Sequence, residues 1–403
     1  MRLNRTLTRG AAALALLTVS VVPVTTAGAA DPHDEADALF DSLNGPMAPF
    51  VVTPGQFDID PTKVLADVPA MMAKVDGARA RATVEGLVEF PRNSDDPQSD
   101  LDEAADHVAG LFDDAGLVPQ FQDVTYEGKS MPNIYAAIPG TGCSDKTLVV
   151  SAHYDATPSG NQGADDDASG IGALFEIARA VHTHPLPVTV RIVAFSFEED
   201  GLVGSMTMAA RDAANDADIV GAVSMDMLGY TTPEIDPLTG LPGTYLAMVA
   251  DPTSAALAHA FGAGAYWYQP EFPAAGAVID PAVLSDIFRS DHFSYVSQGY
   301  PGMIVTDTAN FRNPNYHTLN DTLDTLDWDY LTGSARAMVA GVATYASSDQ
   351  NADGVADLCA APVPPVTTNP SPTTAPSTST PSPANPHSAP PALALSAEPV
   401  YAG

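Results

Sequence analysis

The chain has few basic residues, few cysteines and few long apolar runs, and each shortage argues against a class of function. Sixteen lysine and arginine residues stand against 50 aspartate and glutamate residues, for a formal net charge of −34 at pH 7. Nucleic acids and anionic membranes would repel this charge, so we expect neither as a partner. Beyond residues 1–30, no run approaches the roughly 20 apolar residues of a membrane helix.

The cysteine content argues against thiol catalysis. The two cysteines, Cys143 and Cys359, form no C-x-x-C pair, and neither is next to a histidine in the sequence. In an exported protein they would form one disulfide bond, and two unpaired thiols are the alternative. The sequence also lacks the G-x-S-x-G motif of serine hydrolases and the H-E-x-x-H motif of zinc helices.

The two ends of the chain differ in composition from its centre. Residues 1–30 begin with arginines, continue with an apolar stretch and end in small residues, which is typical of a signal peptide. We therefore expect a secreted, extracellular protein. Residues 31–61 are acidic and weakly patterned, which predicts an N-terminal arm or a propeptide. Residues 361–403 are rich in proline, threonine and serine, which predicts a disordered tail.

A polar segment precedes the predicted tail. Oxygen-bearing side chains alternate along residues 349–357, around Gly354. The pattern resembles the loops that wrap calcium in EF-hand-like and thrombospondin type 3 repeats. A polar linker that carries Cys359 explains the same pattern equally well. Residues 348–360 are therefore predicted either to bind Ca²⁺ or to form a linker.

The central part of the chain alternates between β-branched apolar runs and amphipathic helical patterns. This alternation predicts an α/β fold with a mainly parallel sheet that is covered by helices on both faces. Residues 62–89 are predicted to form one helix, and residues 263–280 a long apolar loop. The aromatic residues of that loop either line a pocket for an apolar side chain or pack in the core. They are Tyr266, Trp267, Tyr268 and Phe272.

Histidine and acidic residues follow several predicted strands at the point where each strand ends. One strand begins at Thr147 and leads to His153, and the loop after it contains three consecutive aspartates, Asp165–Asp167. In an open parallel sheet, such strand ends line one crevice. The candidate residues are His153, Asp166, Glu198, Glu199, Asp226 and His317.

This many carboxylates in one crevice would repel one another, and burying them is costly unless a cation is present. No basic residue adjoins them in the sequence, so we expect metal ions to neutralise them. Histidine nitrogen combined with carboxylate oxygen suits zinc, and the number of carboxylates calls for roughly two ions. Each residue taken singly has a structural explanation. Their joint occurrence at successive strand ends is what indicates a metal site.

Six short sequence blocks occur in a fixed order. They are AHYD at 152–155, GADDDASG at 163–170, FEEDGLVGS at 197–205, MDM at 225–227, SDH at 290–292 and YHT at 316–318. Together they resemble the secreted bacterial leucyl aminopeptidases, which are two-zinc metallopeptidases. The resemblance implies a zinc peptidase catalytic domain over residues 62–347. It also implies a three-layer α/β/α fold with a mixed, mainly parallel sheet, the phosphorylase/hydrolase-like fold of zinc exopeptidases.

The resemblance assigns five of the candidate residues to two zinc ions. Asp166 would bridge the two ions, and the peptide bond that follows it would be cis. His153 and Asp226 would complete one zinc site. Glu199 and His317 would complete the other.

Other residues would act beside the metals. Asp155 would accept a hydrogen bond from His153 and fix its tautomer. Glu198 would be the general base that takes a proton from the zinc-bridging water and passes it to the leaving amine. Tyr316 would donate a hydrogen bond to the tetrahedral oxyanion. Asp291–His292 also matches a family block, and we expect it in the pocket wall.

The sequence therefore predicts an exported, monomeric zinc aminopeptidase that acts on the N-termini of peptides or proteins. A carboxypeptidase of the same fold would need cationic side chains near the crevice, where the chain offers few, chiefly Arg289 and Arg312. A one-zinc glutaminyl cyclase would not need the complete ligand set. A non-catalytic binding relative would be expected to lack Glu198 or a metal ligand.

Overall fold

An eight-stranded sheet forms the centre of the computed structural model, which describes residue 31 and residues 33–360. The predicted signal peptide, residues 1–30, and the predicted tail, residues 361–403, lie outside the described residues. None of the helices in the described part of the chain is long and apolar enough to span a membrane.

The helices and strands follow one another along the chain with short connections. The helices are α1 (Asp34–Asp41), α2 (Val68–Met72), α3 (Gly77–Leu87), α4 (Gln98–Asp114), α5 (Gly170–Thr183), α6 (Val203–Ala214), α7 (Ala255–Tyr268), α8 (His292–Val296) and α9 (Trp328–Ser347). The strands are β1 (Gln120–Gln122), β2 (Thr125–Tyr126), β3 (Lys129–Ser130), β4 (Asn133–Ile138), β5 (Cys143–His153), β6 (Val188–Phe195), β7 (Asp218–Met225), β8 (Thr232–Ile235), β9 (Pro242–Gly243), β10 (Leu246–Ala250), β11 (Ala274–Val278) and β12 (Gly302–Thr306).

The main sheet is mixed and mainly parallel, with the strand order β1-β4-β6-β5-β7-β12-β10-β11. Its central pairs, β6–β5, β5–β7 and β7–β12, are parallel, as is the outer pair β10–β11. The pairs β1–β4, β4–β6 and β10–β12 are antiparallel. Helices cross over between the parallel central strands, as such pairs require. The α/β class and the mixed, mainly parallel sheet are confirmed.

The two faces of the sheet pack against different helices. Along β5, Leu148 and Val150 lie in the large core with α5 and α9, whereas Val149 lies in a second core with Met208 of α6 and Tyr295 of α8. Successive side chains of a strand point to opposite faces, so residues 148–150 are all apolar because both faces are covered there. The predicted three-layer α/β/α arrangement is therefore present.

Two predicted elements differ in the structure. Residues 62–89 form two helices, because the carboxylate of Asp76 accepts hydrogen bonds from the first backbone N–H groups of α3 and so begins a new helix. Residues 263–280 are not a loop: α7 continues to Tyr268, and β11 follows. Close packing on α9 supports this longer helix, since a Cβ on Gly264 would lie 2.7 Å from the carbonyl oxygen of Ala340.

The segment 348–360 follows α9 and folds upon itself. The carboxylate of Asp349 accepts hydrogen bonds from the backbone N–H groups of Asp353, at 3.1 Å, and Gly354, at 2.9 Å. Asp353 accepts one from the backbone of Val355 at 2.9 Å. Within the described residues, this segment holds no cluster of three histidine, cysteine or acidic ligands. Calcium binding and a polar linker both stay open as predictions for this segment.

A disulfide bond joins Cys143, the first residue of β5, to Cys359. Of the two alternatives that the sequence leaves open, the structure has the paired cysteines. The bond spans a sequence separation of 216 residues and ties the segment 348–360 to a central strand of the sheet. Cross-links that close long loops restrict the unfolded chain most strongly in the chain-entropy account.

We expect the double variant Cys143→Ser/Cys359→Ser to lose about 2–4 kcal/mol of unfolding free energy, because its unfolded chain is less restricted. Urea denaturation of the oxidised wild type and the variant measures this difference. Reduced wild type is the control, and it should unfold at the same urea concentration as the variant. Equal midpoints for the oxidised wild type and the variant would contradict the prediction.

Candidate metal centre

Neighbouring parallel strands place the predicted site residues at one edge of the sheet. His153 is the last residue of β5, and Glu198 follows β6 after a short turn. Asp226 directly follows β7, and His317 lies in the loop after β12. Because parallel strands end at the same edge, these side chains meet there. The coil between β5 and α5 adds Asp166 to them.

Two groups of side chains each offer ligand atoms within 4.8 Å of one another. Asp166, a member of the second group, connects it to the first: its Oδ1 is 3.2 Å from His153 Nε2, and its Oδ2 is 3.2 Å from His317 Nε2. His317 Nε2 is also 2.9 Å from a carboxylate oxygen of Glu199. The first group is His153, Glu198 and Asp226, and the second is Asp166, Glu199 and His317.

The residues of the two groups are short of positive charge. Burial and the charge of Asp166 raise the pKa of Glu199 to about 8. Burial also raises the pKa of Glu198 well above its usual range, although the charge of His153 opposes this. Burial by itself would lower the pKa of His317, but its contacts with Asp166 and Glu199 outweigh burial and raise that pKa to about 10. A cation bound between these carboxylates would therefore be strongly favoured, because it would relieve their mutual repulsion.

Several buried atoms in the two groups fit a metal ion. His153 Nε2, Asp166 Oδ2 and Glu199 Oε1 are buried and make no hydrogen bond of acceptable geometry. Buried polar atoms nearly always have a partner, so atoms without one at a single place need an explanation. A mixed set of imidazole nitrogen and carboxylate oxygen is the donor set that zinc commonly takes. The residues present therefore fit zinc.

Asp155 holds the turn that carries both glutamates. Its two carboxylate oxygens accept the backbone N–H groups of Glu198, at 3.1 Å, and Glu199, at 3.0 Å. Phe197, just before them, has a left-handed φ of 51°, which is a strained conformation for a bulky residue. The distance from His153 Nδ1 to Asp155 Oδ1 is 3.6 Å, longer than a hydrogen bond. The tautomer-fixing hydrogen bond between them stays a prediction.

Asp167 has no role in the sequence analysis, but the structure gives it one. Its carboxylate accepts the backbone N–H groups of His153, Gly170 and Met227, at 3.2, 3.0 and 3.1 Å. One side chain thus joins the end of β5, the start of α5 and the loop after β7. The Asp166–Asp167 peptide is cis, as the resemblance implies. The run of three aspartates was the available signal for this role. Only one of the three is assigned as a metal ligand, so the other two carboxylates need hydrogen-bond partners within the protein.

Asp321 is a second residue that the sequence analysis missed. Its carboxylate oxygens accept the backbone N–H groups of Asp165, at 2.9 Å, and Asp166, at 3.1 Å. The carboxylate of Asp165 in turn accepts the backbone N–H of Gly229 at 2.9 Å and the side-chain amide of Asn313 at 2.8 Å. These contacts join segments far apart in sequence, so no local signal reveals them.

Tyr316 lies over His317, with ring centroids 3.7 Å apart and an angle of 19° between the rings. Its hydroxyl oxygen accepts a hydrogen bond from Arg289 Nη2 at 2.8 Å. Burial and the charges of Asp166 and Glu199 raise the pKa of the phenol, so it stays protonated. The hydroxyl proton therefore remains available for donation to another group.

The pair Asp291–His292, expected in the pocket wall, is buried beside the site. His292 makes hydrogen-bond contacts with Ser224 Oγ, at 3.0 Å, and with the carbonyl of Ile287, at 2.7 Å. Burial is the main cause of the raised pKa of Glu198, and the charges of Asp226, Glu199 and Asp291 raise it further. Neither residue belongs to the two ligand groups or lines the cavity described next.

An apolar cavity of about 110 Å³ opens beside the ligand groups. Asp226, Arg289 and Tyr316 line the end nearest those groups. The aromatic residues of the segment 263–280 do not line it: Tyr266 packs near Phe57 instead. The remaining lining is mainly aliphatic and includes Leu43, Met47, Val51, Leu238, Leu241, Ala247, Val249, Ala275, Ala277, Ile279, Leu284, Ile287 and Ile304.

Comparisons with known proteins agree with this geometry. The sequence model of peptidase family M28 matches residues 133–342, more than half of the 403 residues. The chain is 28% identical over 266 residues to the uncharacterized protein YfbL of Escherichia coli, covering 59% of this chain and 78% of that one. It is 26% identical over 290 residues to leucine aminopeptidase 1 of Metarhizium robertsii, covering 66% and 68%.

A solved structure shows the same fold. The Legionella pneumophila LapA aminopeptidase has a TM-score of 0.59 to this chain at 20% identity. The match covers 73% of this chain and 77% of that one. At this level of identity the likeness concerns the fold alone. Because the family match covers more than half of the chain, including every strand that leads to the ligand groups, the chain belongs to peptidase family M28 and is a metallopeptidase.

Proposed function

We propose that this protein is an exported, monomeric zinc aminopeptidase that removes N-terminal residues from peptides or proteins. The observation that carries the proposal is the pair of ligand groups with Asp166 between them. The apparent signal sequence in residues 1–30 supports export to the extracellular space. The name of the Metarhizium relative, leucine aminopeptidase 1, supports the reaction.

The ligand groups would hold two zinc ions. His153 and Asp226 would bind one ion, Glu199 and His317 the other, and Asp166 both. When bound, zinc supplies Lewis acidity, which polarises a carbonyl group and makes water a better acid. Orphaned ligand atoms at His153, Asp166 and Glu199 support this assignment.

Glu198 would act as the general base and Tyr316 as the oxyanion donor. Asp155 holds the backbone of Glu198, and the side chain of Glu198 lies in the same group as His153 and Asp226. From there it can take a proton from water and return it to the leaving amine. The Tyr316 hydroxyl accepts from Arg289, so its own proton can go to the developing oxyanion.

The charges around the crevice favour a substrate's amino end over its carboxyl end. Carboxylates beside the metals would attract an α-ammonium group. A substrate carboxylate would need an accessible, unpaired cation, but Arg289 is occupied and Arg312 is buried. Arg289 donates to Asp286 and Tyr316, and the buried Arg312 donates to the carbonyl of Tyr245 at 2.8 Å. This occupation argues against the carboxypeptidase alternative.

The cavity supports a preference for apolar N-terminal residues. Its volume of about 110 Å³ is somewhat below the roughly 150 Å³ of an apolar cavity that takes benzene. Side chains such as those of leucine and methionine would fit it and bury apolar surface. Because Asp226 and Tyr316 line its inner end, such a side chain would lie beside the proposed catalytic groups.

We expect the protein to release p-nitroaniline from leucyl-p-nitroanilide, to lose this activity with a chelator and to regain it with zinc. Acetyl-leucyl-p-nitroanilide is the matched control, and it should resist cleavage because its amino group is blocked. Release of amino acids only from the carboxyl end of peptides would contradict the proposal. Cyclisation of N-terminal glutamine by a protein with one zinc would favour the cyclase alternative.

The neighbours Glu198 and Glu199 provide a matched pair of variants. Glu198→Ala should retain two zinc ions per chain and lose about 10²–10⁴-fold in kcat, the usual contribution of a general base. Glu199→Ala should lose zinc, because Glu199 is a ligand. Elemental analysis of both purified variants, together with anilide kinetics, measures these outcomes. Loss of zinc from Glu198→Ala with full retention in Glu199→Ala would mean that the two roles are exchanged.

A further inference from the structure

The N-terminal arm, residues 31–61, forms one wall of the cavity beside the ligand groups. Leu43, Met47 and Val51 line the cavity, whose other end is lined by Asp226 and Tyr316. A substrate side chain that enters this cavity would therefore contact the arm. This matters because the sequence is compatible both with a permanent arm and with a propeptide that is removed.

The arm takes the place of a helix on one face of the sheet. Helix α7 packs against β10 and β11 on the face that contains Met248. Ala247 and Val249 point to the opposite face, where they line the cavity. There the buried Met47 and Val51 of the arm form an apolar cluster with residues of β11. Without the arm, this face of the outer strands would be open to water.

Backbone contacts hold the first part of the arm against the loop between β8 and β9. The N–H of Gly45 donates to the carbonyl of Thr239 at 2.7 Å, and the N–H of Met47 donates to that of Leu238 at 2.7 Å. The approach is so close that a Cβ on Gly45 would lie 2.4 Å from the carbonyl carbon of Thr239. Only glycine fits at this position without displacement of the loop.

The second part of the arm covers the edge of the sheet. Val51 forms an antiparallel bridge with Ala277 of the outermost strand, β11. The N–H of Val52 donates to the carbonyl of Gly276 at 2.8 Å. Exposed sheet edges invite unwanted pairing, and here the arm protects the edge. Through these backbone contacts the arm forms part of the folded domain.

The arm also supplies three of the large side chains of the cavity wall, Leu43, Met47 and Val51. The strand side of the cavity includes the small residues Ala247, Ala275 and Ala277. Their side chains project little into the space, so its width depends on what faces them. Met47 and Val51 belong to the same apolar cluster as Ala275 and Ala277. A change of volume at either arm residue should therefore change which substrate side chain fits.

We propose that residues 43–51 are a permanent wall of the substrate side-chain pocket. The arm then stays on the active enzyme, and Met47 and Val51 determine which N-terminal side chain is accepted. This inference rests on the proposed aminopeptidase function and adds to it the residues that set its specificity.

Adjacent residues of the arm offer a matched test. Val51 lines the cavity, whereas the equally buried Val52 packs on the other side, with Phe57 and Ala263. Val51→Ala enlarges the pocket and should raise the ratio of kcat/KM for phenylalanyl over leucyl p-nitroanilide by about 10-fold. Val52→Ala removes the same atoms from the arm and should leave this ratio at its wild-type value.

Met47→Trp tests the opposite change. It fills the cavity, so kcat/KM for the leucyl substrate should fall by about 10-fold or more relative to the alanyl substrate. Zinc content and thermal unfolding of each variant show whether the metal centre and the fold are intact. The ratio of kcat/KM for the larger over the smaller side chain should rise in Val51→Ala and fall in Met47→Trp. General destabilisation of the arm would not produce these opposite changes.

The outcomes separate the two proposals. Wild-type protein that cleaves none of the aminoacyl anilides would overturn the proposed function, and the inference with it. An active wild type whose substrate ratios are unchanged in both Val51→Ala and Met47→Trp would overturn the inference alone. So would an active enzyme whose intact mass shows that it begins after Val51 and whose ratios match those of the longer chain.

Discussion

Burial of many carboxylates at one edge of the sheet is the constraint on which the rest of the structure depends. The chain satisfies it in two ways. Asp155, Asp167 and Asp321 accept backbone N–H groups, which supply partial positive charge from the fold itself. Asp166 and Glu199 instead contact histidines, and their buried oxygens without a hydrogen-bond partner fit a metal ion. Asp155 holds the turn that carries Glu199, and Asp321 holds the coil that carries Asp166, so structural carboxylates lie beside the proposed ligands.

The structural carboxylates fix the backbone segments that carry the proposed ligands. Asp167 joins three segments by hydrogen bonds to backbone, and Asp321 holds the coil that contains Asp166. Hydrogen bonds from backbone N–H groups offset the cost of burying these carboxyl groups. The left-handed backbone of Phe197 and His317 is maintained within this network. The geometry of the two ligand groups thus depends on acid groups that lie outside them.

The apolar cavity beside the ligand groups, by contrast, is completed by a part of the chain outside the family match. The family match begins at residue 133, whereas the N-terminal arm ends at residue 61. Strands β10 and β11 lie within the matched region, but the face that they turn to the cavity is completed by Leu43, Met47 and Val51. The edge of the sheet that carries the ligand groups thus lies within the family match, whereas part of the cavity wall lies outside it.

Local patterns in the sequence were enough to predict the α/β class, most of the central strands and helices, and the residues gathered around Asp166. Those features follow from the periods of strands and helices and from acidic residues at strand ends, which neighbours in sequence reveal. Three-dimensional contacts decided the rest. The hold of Asp321 on Asp165, the length of α7 against α9 and the arm across β10 and β11 all join distant segments. Such contacts depend on how elements pack, and no window of the sequence contains both partners.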